Sequence, residues 1–342
     1  MTSFIENQVN FMKKQVLFII PFIITVLFSC IEEKSTPKIF PLEKYIEAKA
    51  IPFEYIIDRI DCTIVDDCII FQSDKVDTFI HVYSLPEIDH ILSFGTKGQG
   101  PDEFILPHLI KNNSNMLCYA GYSNPDLTNC FSIDKENKTI TKLKDYHIKD
   151  VPFYEIRNQV IINDSVLFYI RDIPYSIQIF SYDIHEEKTI SQSKIKVKEN
   201  HPRVWAYFNI GLLIANSQTV VYAYLYQDKI SFMNHDLSKK QIVKKKSKVY
   251  IDKGMDMNSI CYYMNGVAGK EKFYFLYVGD FLKDVRGGAK KKSIEVFDNM
   301  GNPLIKYYID EDITDFVVDE NNNKIYAYGY DDDVLLVYDL DE

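Results

Sequence analysis

The chain is poor in the residues that mark several structural classes. One Trp and only 13 Gly stand against 25 Tyr and 22 Phe in 342 residues, a balance that favours β-strands carrying aromatic side chains. With hydrophobic residues at 46% and charged residues at 26%, the composition excludes wholesale disorder. Positive charge is short: 39 Lys and Arg against 49 Asp and Glu leave a net charge of -10. That is the wrong sign for a protein whose affinity comes from neutralising phosphates, so nucleic acid is not expected as a partner. The six Cys include no pair at the C-x2-4-C spacing of a tetrahedral zinc site, and no metal or cofactor is expected. There is no HExxH and no GxSxG. After residue 50 no long 3.6-residue apolar period with caps appears, which excludes a βαβ organisation.

Motifs that could suggest chemistry have plainer readings. The Gly-rich run 95–100 lacks the Lys-Ser/Thr pair and helix of a phosphate loop, and Pro101 removes a backbone donor, so it reads as a junction turn. Asp310-Glu311-Asp312 and Asp331-Asp332-Asp333 lack the alternating ligands and Gly of a calcium loop and read as solvated turns. Lys239 to Lys248 reads as an exposed outer strand whose edge is protected by Lys.

Long apolar runs are confined to the start of the chain. Met12-Lys13-Lys14, apolar Val16 to Phe28, and then Ser29-Cys30 have the basic, apolar and small-residue regions of a secretory signal. A helix of that apolar length covers about 20 Å against a hydrocarbon core of roughly 30 Å, too short for a permanent span. Leu27-Phe28-Ser29-Cys30 resembles the bacterial lipoprotein box, which implies lipidation at Cys30 and cleavage before it; Phe28 departs from the usual small residue. Residues 1–29 are therefore expected to be a signal peptide, with 1–11 either ahead of its natural start or an unusually long leader, and 30–37 the lipidated Cys and a tether. Ile31-Glu32-Glu33-Lys34 is similar to the surface-export tag of Bacteroidetes lipoproteins and reads equally well as a solvated spacer.

Five Cys remain beyond Cys30, an odd number that cannot pair completely. Cys118 and Cys130 flank a hairpin and leave two readings open, a cross-strand disulfide or two small buried hydrophobes, with the second preferred.

Aromatic residues are plentiful, with 25 Tyr and 22 Phe, and favour strands. A strand, turn, strand phrase recurs six times, centred on Tyr83, Phe131, Phe180, Met233, Phe297 and Tyr338 at intervals of 48, 49, 53, 64 and 41 residues. That is the period of a four-stranded propeller blade. The last unit stops one strand short at Glu342, and the extended segment Ile39 to Ala50 is free to supply it. The expected fold is all-β: a six-bladed β-propeller of four-stranded blades over residues 38–342, its last blade closed by the N-terminal strand, which leaves no open ring edge.

Phe94-Gly95-Thr96-Lys97-Gly98-Gln99-Gly100-Pro101-Asp102-Glu103-Phe104 is similar to the blade junction of NHL-repeat propellers. The ending, with Val296-Phe297-Asp298, Gly301, Val317-Val318-Asp319-Glu320 and Lys324-Ile325-Tyr326-Ala327, resembles TolB-like six-bladed propeller lipoproteins of Bacteroidetes. The resemblance strengthens the fold more than the function, since members mostly lack an assigned activity.

In an up-and-down blade, the loops between blades and between strands two and three emerge on one face. That face should carry Tyr154, Arg157, Arg203, Trp205 and Arg286, residue types that anchor interfaces, with the long insertion Gly279 to Ser293. His108, after Pro107, is placed to face the central channel. The expectation is a non-catalytic binding or scaffolding module for protein, peptide or glycan. It would be held through Cys30 at the outer membrane, on its periplasmic or cell-surface face. The alternative is a propeller lyase or hydrolase with a channel metal and His108 among its ligands.

Overall fold

The computed structural model describes residues 35–52, 59–73, 77–98, 103–104, 107–112, 115–121, 124–149, 151, 156–173, 176–195, 209–245, 259–285, 292–329 and 334–341. The chain divides into a unit over Met1–Thr36, of which Ser35 and Thr36 alone are described, and a unit over Pro37–Glu342. Among the described residues of the second unit there are strands, turns and irregular segments and no helix.

Its strands form six antiparallel blades in chain order. Blade 1 comprises Arg59–Val65, Cys68–Ser73, Thr78–Ser84 and His90–Lys97; blade 2 comprises Pro107–Asn112, Leu117–Gly121, Asn124–Asp134 and Thr139–His147. Blade 3 is Ile156–Ile162, Val166–Ile173, Ser176–Asp183 and Lys188–Ile195; blade 4 is Gly211–Ala215, Val220–Tyr224, Lys229–Met233 and Lys239–Lys244. Blade 5 is Ile260–Ala268, Lys272–Phe281, Ser293–Asp298 and Pro303–Ile309. Blade 6 has Ile313–Asp319, Lys324–Gly329 and Val334–Asp339, and its fourth strand is Lys49–Pro52, antiparallel to the third.

The N-terminal strand thus closes the last blade, as the repeat implied, with the closing strand Lys49–Pro52 overlapping only the last two residues of Ile39 to Ala50. The middle of that segment does something else: Leu42–Ile46 runs parallel to Pro303–Ile309 as a fifth strand on blade 5. The chain therefore grips two blades before the first one begins.

Burial follows position within the blade. Second strands such as Val220–Tyr224 are buried at every residue, because one face packs on the preceding blade and the other on the following one. In blade 1, Ile69 and Phe71 face blade 6 while Cys68 and Ile70 face blade 2. Outer strands such as Thr139–His147 are largely exposed. One apolar cluster fills each of the six interfaces between neighbouring blades, including Phe71 and Tyr83 with Tyr326, Tyr328 and Leu335, which joins blade 1 to blade 6. The recurring aromatic phrase has a packing role in four blades. Tyr83, Phe131, Phe180 and Phe297 each meet a second-strand aromatic, with ring centroids 5.9, 5.1, 5.1 and 5.9 Å apart.

Cys118 and Cys130 pair directly across the ladder and are joined in a disulfide, so the preferred reading of two independent hydrophobes is corrected. Their side chains come from adjacent strands at one register position, a placement that composition does not reveal. Cys62, Cys68 and Cys261 are free and buried.

Residues at both ends of Gly279 to Ser293, expected as one long insertion, belong to the packed blade. Strand Lys272–Phe281 continues past Gly279, Val285 is buried against Cys261 and Val278, and the Leu282 N–H donates to the Ser259 carbonyl at 2.8 Å. Lys292 is buried, donates to the Ile313 carbonyl at 2.7 Å and pairs with Asp312. Both ends of the segment pack; residues 286–291 lie outside the described residues. In the turn between the third and fourth strands of blade 5, Gly301 has φ +84°, and a Cβ there would stand 2.7 Å from the Phe232 ring, so both its conformation and its space call for glycine.

Candidate functional site

The first strand of each blade lies against the next around the ring and lines a central channel. These strands run from the face bearing the inter-blade connections to the face bearing the turns between first and second strands. On the latter face the channel widens into a cavity of about 430 Å³. Its rim takes a polar residue from a turn or strand end of every blade: Asp66, Asn115, Asn163, Ser217, Lys270 and Asn321. Its wall is apolar, with Ile64, Val160, Ile214, Val267 and Val317.

Lys111 of blade 2 reaches into the depth of this cavity. Its ammonium donates to Asn265 Oδ1 at 2.9 Å and to the Gly266 carbonyl at 3.4 Å, both on blade 5, directly opposite in a six-membered ring. It spans the channel as a crossbar. Burial works to lower its pKa, but the carboxyls of Asp315 and Asp61 outweigh that and hold it above the usual lysine value.

Three β-bulges aim the polar groups that surround this crossbar. The ladders of blades 1, 5 and 6 shift register next to Asp61, Asn265 and Asp315, and each of these side chains accepts the N–H of the following residue, at 2.9, 2.6 and 2.7 Å. A bulge turns a residue that would face a neighbouring blade toward the inner edge. Burial raises the pKa of both Asp61 and Asp315, and the two are hydrogen-bonded to each other. Tyr328 donates to Asp315 Oδ2 at 3.2 Å, and the Cys62 thiol lies 3.7 Å from the same oxygen. Burial, then the Asp315 charge, pushes the Cys62 thiol well above its ordinary pKa.

This chemistry suits holding rather than reacting. The lysine is kept charged and the thiol protonated, so neither is poised as a nucleophile. Asp61 and Asp315 face the ammonium of Lys111, a neutral arrangement when the pair keeps one proton.

Among the seven sequence-predicted residues, two are described. His108 lies on the first strand of blade 2, opposite Ala120, toward the other mouth of the channel. Its ring is open to solvent yet closely surrounded, and burial followed by the Lys111 charge lowers its pKa. Arg157 is exposed at the corresponding end of blade 3, beside a bulge. Cys30, Tyr154, Arg203, Trp205 and Arg286 lie outside the described residues. A channel metal with His108 as ligand does not fit the groups around it, because the charged neighbour acting on His108 is a cation. Among the described residues, no group of three or more His, Cys, Asp or Glu is placed to hold a metal. Sequence reasoning missed Asp61, Lys111, Asn265 and Asp315. The available signal was an acid in the corresponding position, the third residue, of two first strands, Arg59-Ile60-Asp61-Cys62 and Ile313-Thr314-Asp315-Phe316.

The model of the family described as TolB-like 6-blade propeller-like matches residues 49–321. The chain belongs to that family. Among solved structures, a Bacteroides fragilis protein described as exported is similar in fold, with TM-score 0.57 and 11% identity over 89% of this chain and 99% of that one. The structure of U3-55K matches more loosely, with TM-score 0.48 and 9% identity over 86% of this chain and 98% of that one. No curated protein matches the chain. For this TolB-like propeller, the Bacteroides fragilis likeness, at 11% identity, speaks to the fold alone.

Proposed function

We propose that this TolB-like propeller is a lipid-anchored, extracytoplasmic, non-catalytic binding module, and that its ligand is a hydroxyl-rich one, a glycan, seated in the channel mouth. The lipid anchor rests on the signal and Cys30, and location outside the cytoplasm is supported by the exported Bacteroides fragilis neighbour. The observation that carries the binding role is the cavity. It has an apolar wall, a floor closed by Lys111, and a rim to which all six blades contribute amide, hydroxyl or charged groups. Such a mixture of donors and acceptors pairs with sugar hydroxyls in either sense.

The insertion-bearing face, with Arg157 and the residues predicted beside it, is the competing ligand surface. A glycan array followed by calorimetry on two variants separates them. Ser217→Trp, at an exposed rim position, should block the mouth and abolish binding. Arg157→Ala should leave the affinity unchanged. Loss with Arg157→Ala and retention with Ser217→Trp would move the ligand to the opposite face. Failure to bind any glycan on the array would reject the ligand class.

A further inference from the structure

Lys38 is the first charged residue of the propeller unit, and its side chain is only 6% exposed. The ammonium lies between blades 4 and 5. It is 2.7 Å from Asp228 Oδ1, 3.1 Å from Glu295 Oε2 and 3.2 Å from the Tyr263 hydroxyl. The Tyr277 ring lies beneath it, with its centroid 3.8 Å away. Three acceptors thus meet the three protons of a primary ammonium, and an aromatic face covers its flank.

The recess is built independently of its occupant. Tyr263 Oη is 3.2 Å from Asp228 Oδ1 and 3.3 Å from Glu295 Oε2, and Tyr277 donates to Asp228 Oδ2 at 3.2 Å. Lys306 holds the second Glu295 oxygen at 3.3 Å. The carboxylates are 3% and 0% exposed, and two ammoniums balance them. Without Lys38, one buried carboxylate would lack its countercharge, a strongly unfavourable state.

We infer that Asp228, Glu295, Tyr263 and Tyr277 form a binding site for a primary alkylammonium, filled in cis by Lys38, and that this seat fastens the N-terminal segment to the propeller. A pull from the N-terminal side meets the seat before it reaches Leu42–Ile46 or the closing strand Lys49–Pro52. The role as the hold of a membrane tether rests on the proposed lipidation of Cys30, eight positions earlier, which limits the tether to about 26–29 Å. The ammonium site itself does not rest on that reading.

Chemical rescue of the full chain tests it. Lys38→Ala should melt several degrees below wild type. Added n-butylammonium should recover at least half of that shift while moving wild type little, and tetramethylammonium, which has no N–H, or sodium chloride at equal ionic strength should not. An equal n-butylammonium shift in both proteins, no recovery in Lys38→Ala, or an unchanged Lys38→Ala midpoint would overturn the inference. Should Lys38→Ala not fold, Lys38→Met and Lys38→Met/Glu295→Gln decide. Recovery of folded protein on removing the unpaired carboxylate supports the site, and no recovery or a further loss contradicts it. Fatty-acid labelling at Cys30 separately tests the tether.

Discussion

Asp315 is the residue through which pH should act on this fold. Burial pushes its carboxyl up to about 7, with the Lys111 charge opposing, against an ordinary value of 3.8. A group whose folded pKa is raised keeps more protons in the folded state than in the unfolded one. Its contribution to stability therefore falls as pH rises from about 4 through about 7. The wild-type denaturation midpoint should carry a downward slope in that window that is absent from Asp315→Asn, whose amide resembles the protonated acid. Equal slopes in the two proteins would show that the pair does not hold a proton across this window. The surface acids Asp134 and Asp236 and the half-buried Asp183 and Asp339, whose pKa values are lowered by local hydrogen bonds, contribute with the opposite sign. They are common to both proteins, so the difference between the two slopes isolates the channel.

Individual strands show where sequence reading succeeds and stops. The blade period, the strand class and the shortfall in the last unit are visible because buried second strands are continuous apolar runs and turn residues separate them, as around Val220–Tyr224. Closure by an N-terminal strand follows from counting. Which residues close the blade does not, because Leu42–Ile46 and Lys49–Pro52 are both extended and register chooses between them. Bulges beside Asp61, Asn265 and Asp315 are equally hidden, since one extra residue in a strand leaves no compositional mark.

The Cys118–Cys130 bridge closes a short loop, and replacing both residues by Ser should cost about 2–3 kcal/mol, read as a lower denaturation midpoint. The same midpoint in wild type and Cys118→Ser/Cys130→Ser would show the bridge to be irrelevant to stability. Deleting 39–52 should cost several kcal/mol, because it removes a strand from each of two blades and the Lys49–Pro52 ladder at the ring closure. Unchanged melting of the deleted chain would mean that the ring holds without them.

For the whole molecule, fold and function differ in how directly the sequence expresses them. Six interfaces repeat one packing scheme, so the architecture is written many times over, whereas the channel site is assembled from one residue per blade and no two need be adjacent in sequence. The proposed anchor is local and simple to check: a fatty-acid analogue should label wild type and not Cys30→Ala, and equal labelling would remove it. The proposed ligand enters the mouth rimmed by the first turns of the blades. Hydrogen exchange, with and without the oligosaccharide selected on the array, tests this most directly. Ligand should protect peptides spanning Asn115, Asn163, Ser217, Lys270 and Asn321 together, while protection confined to the segments around 152–157 and 286–291 would contradict the claim.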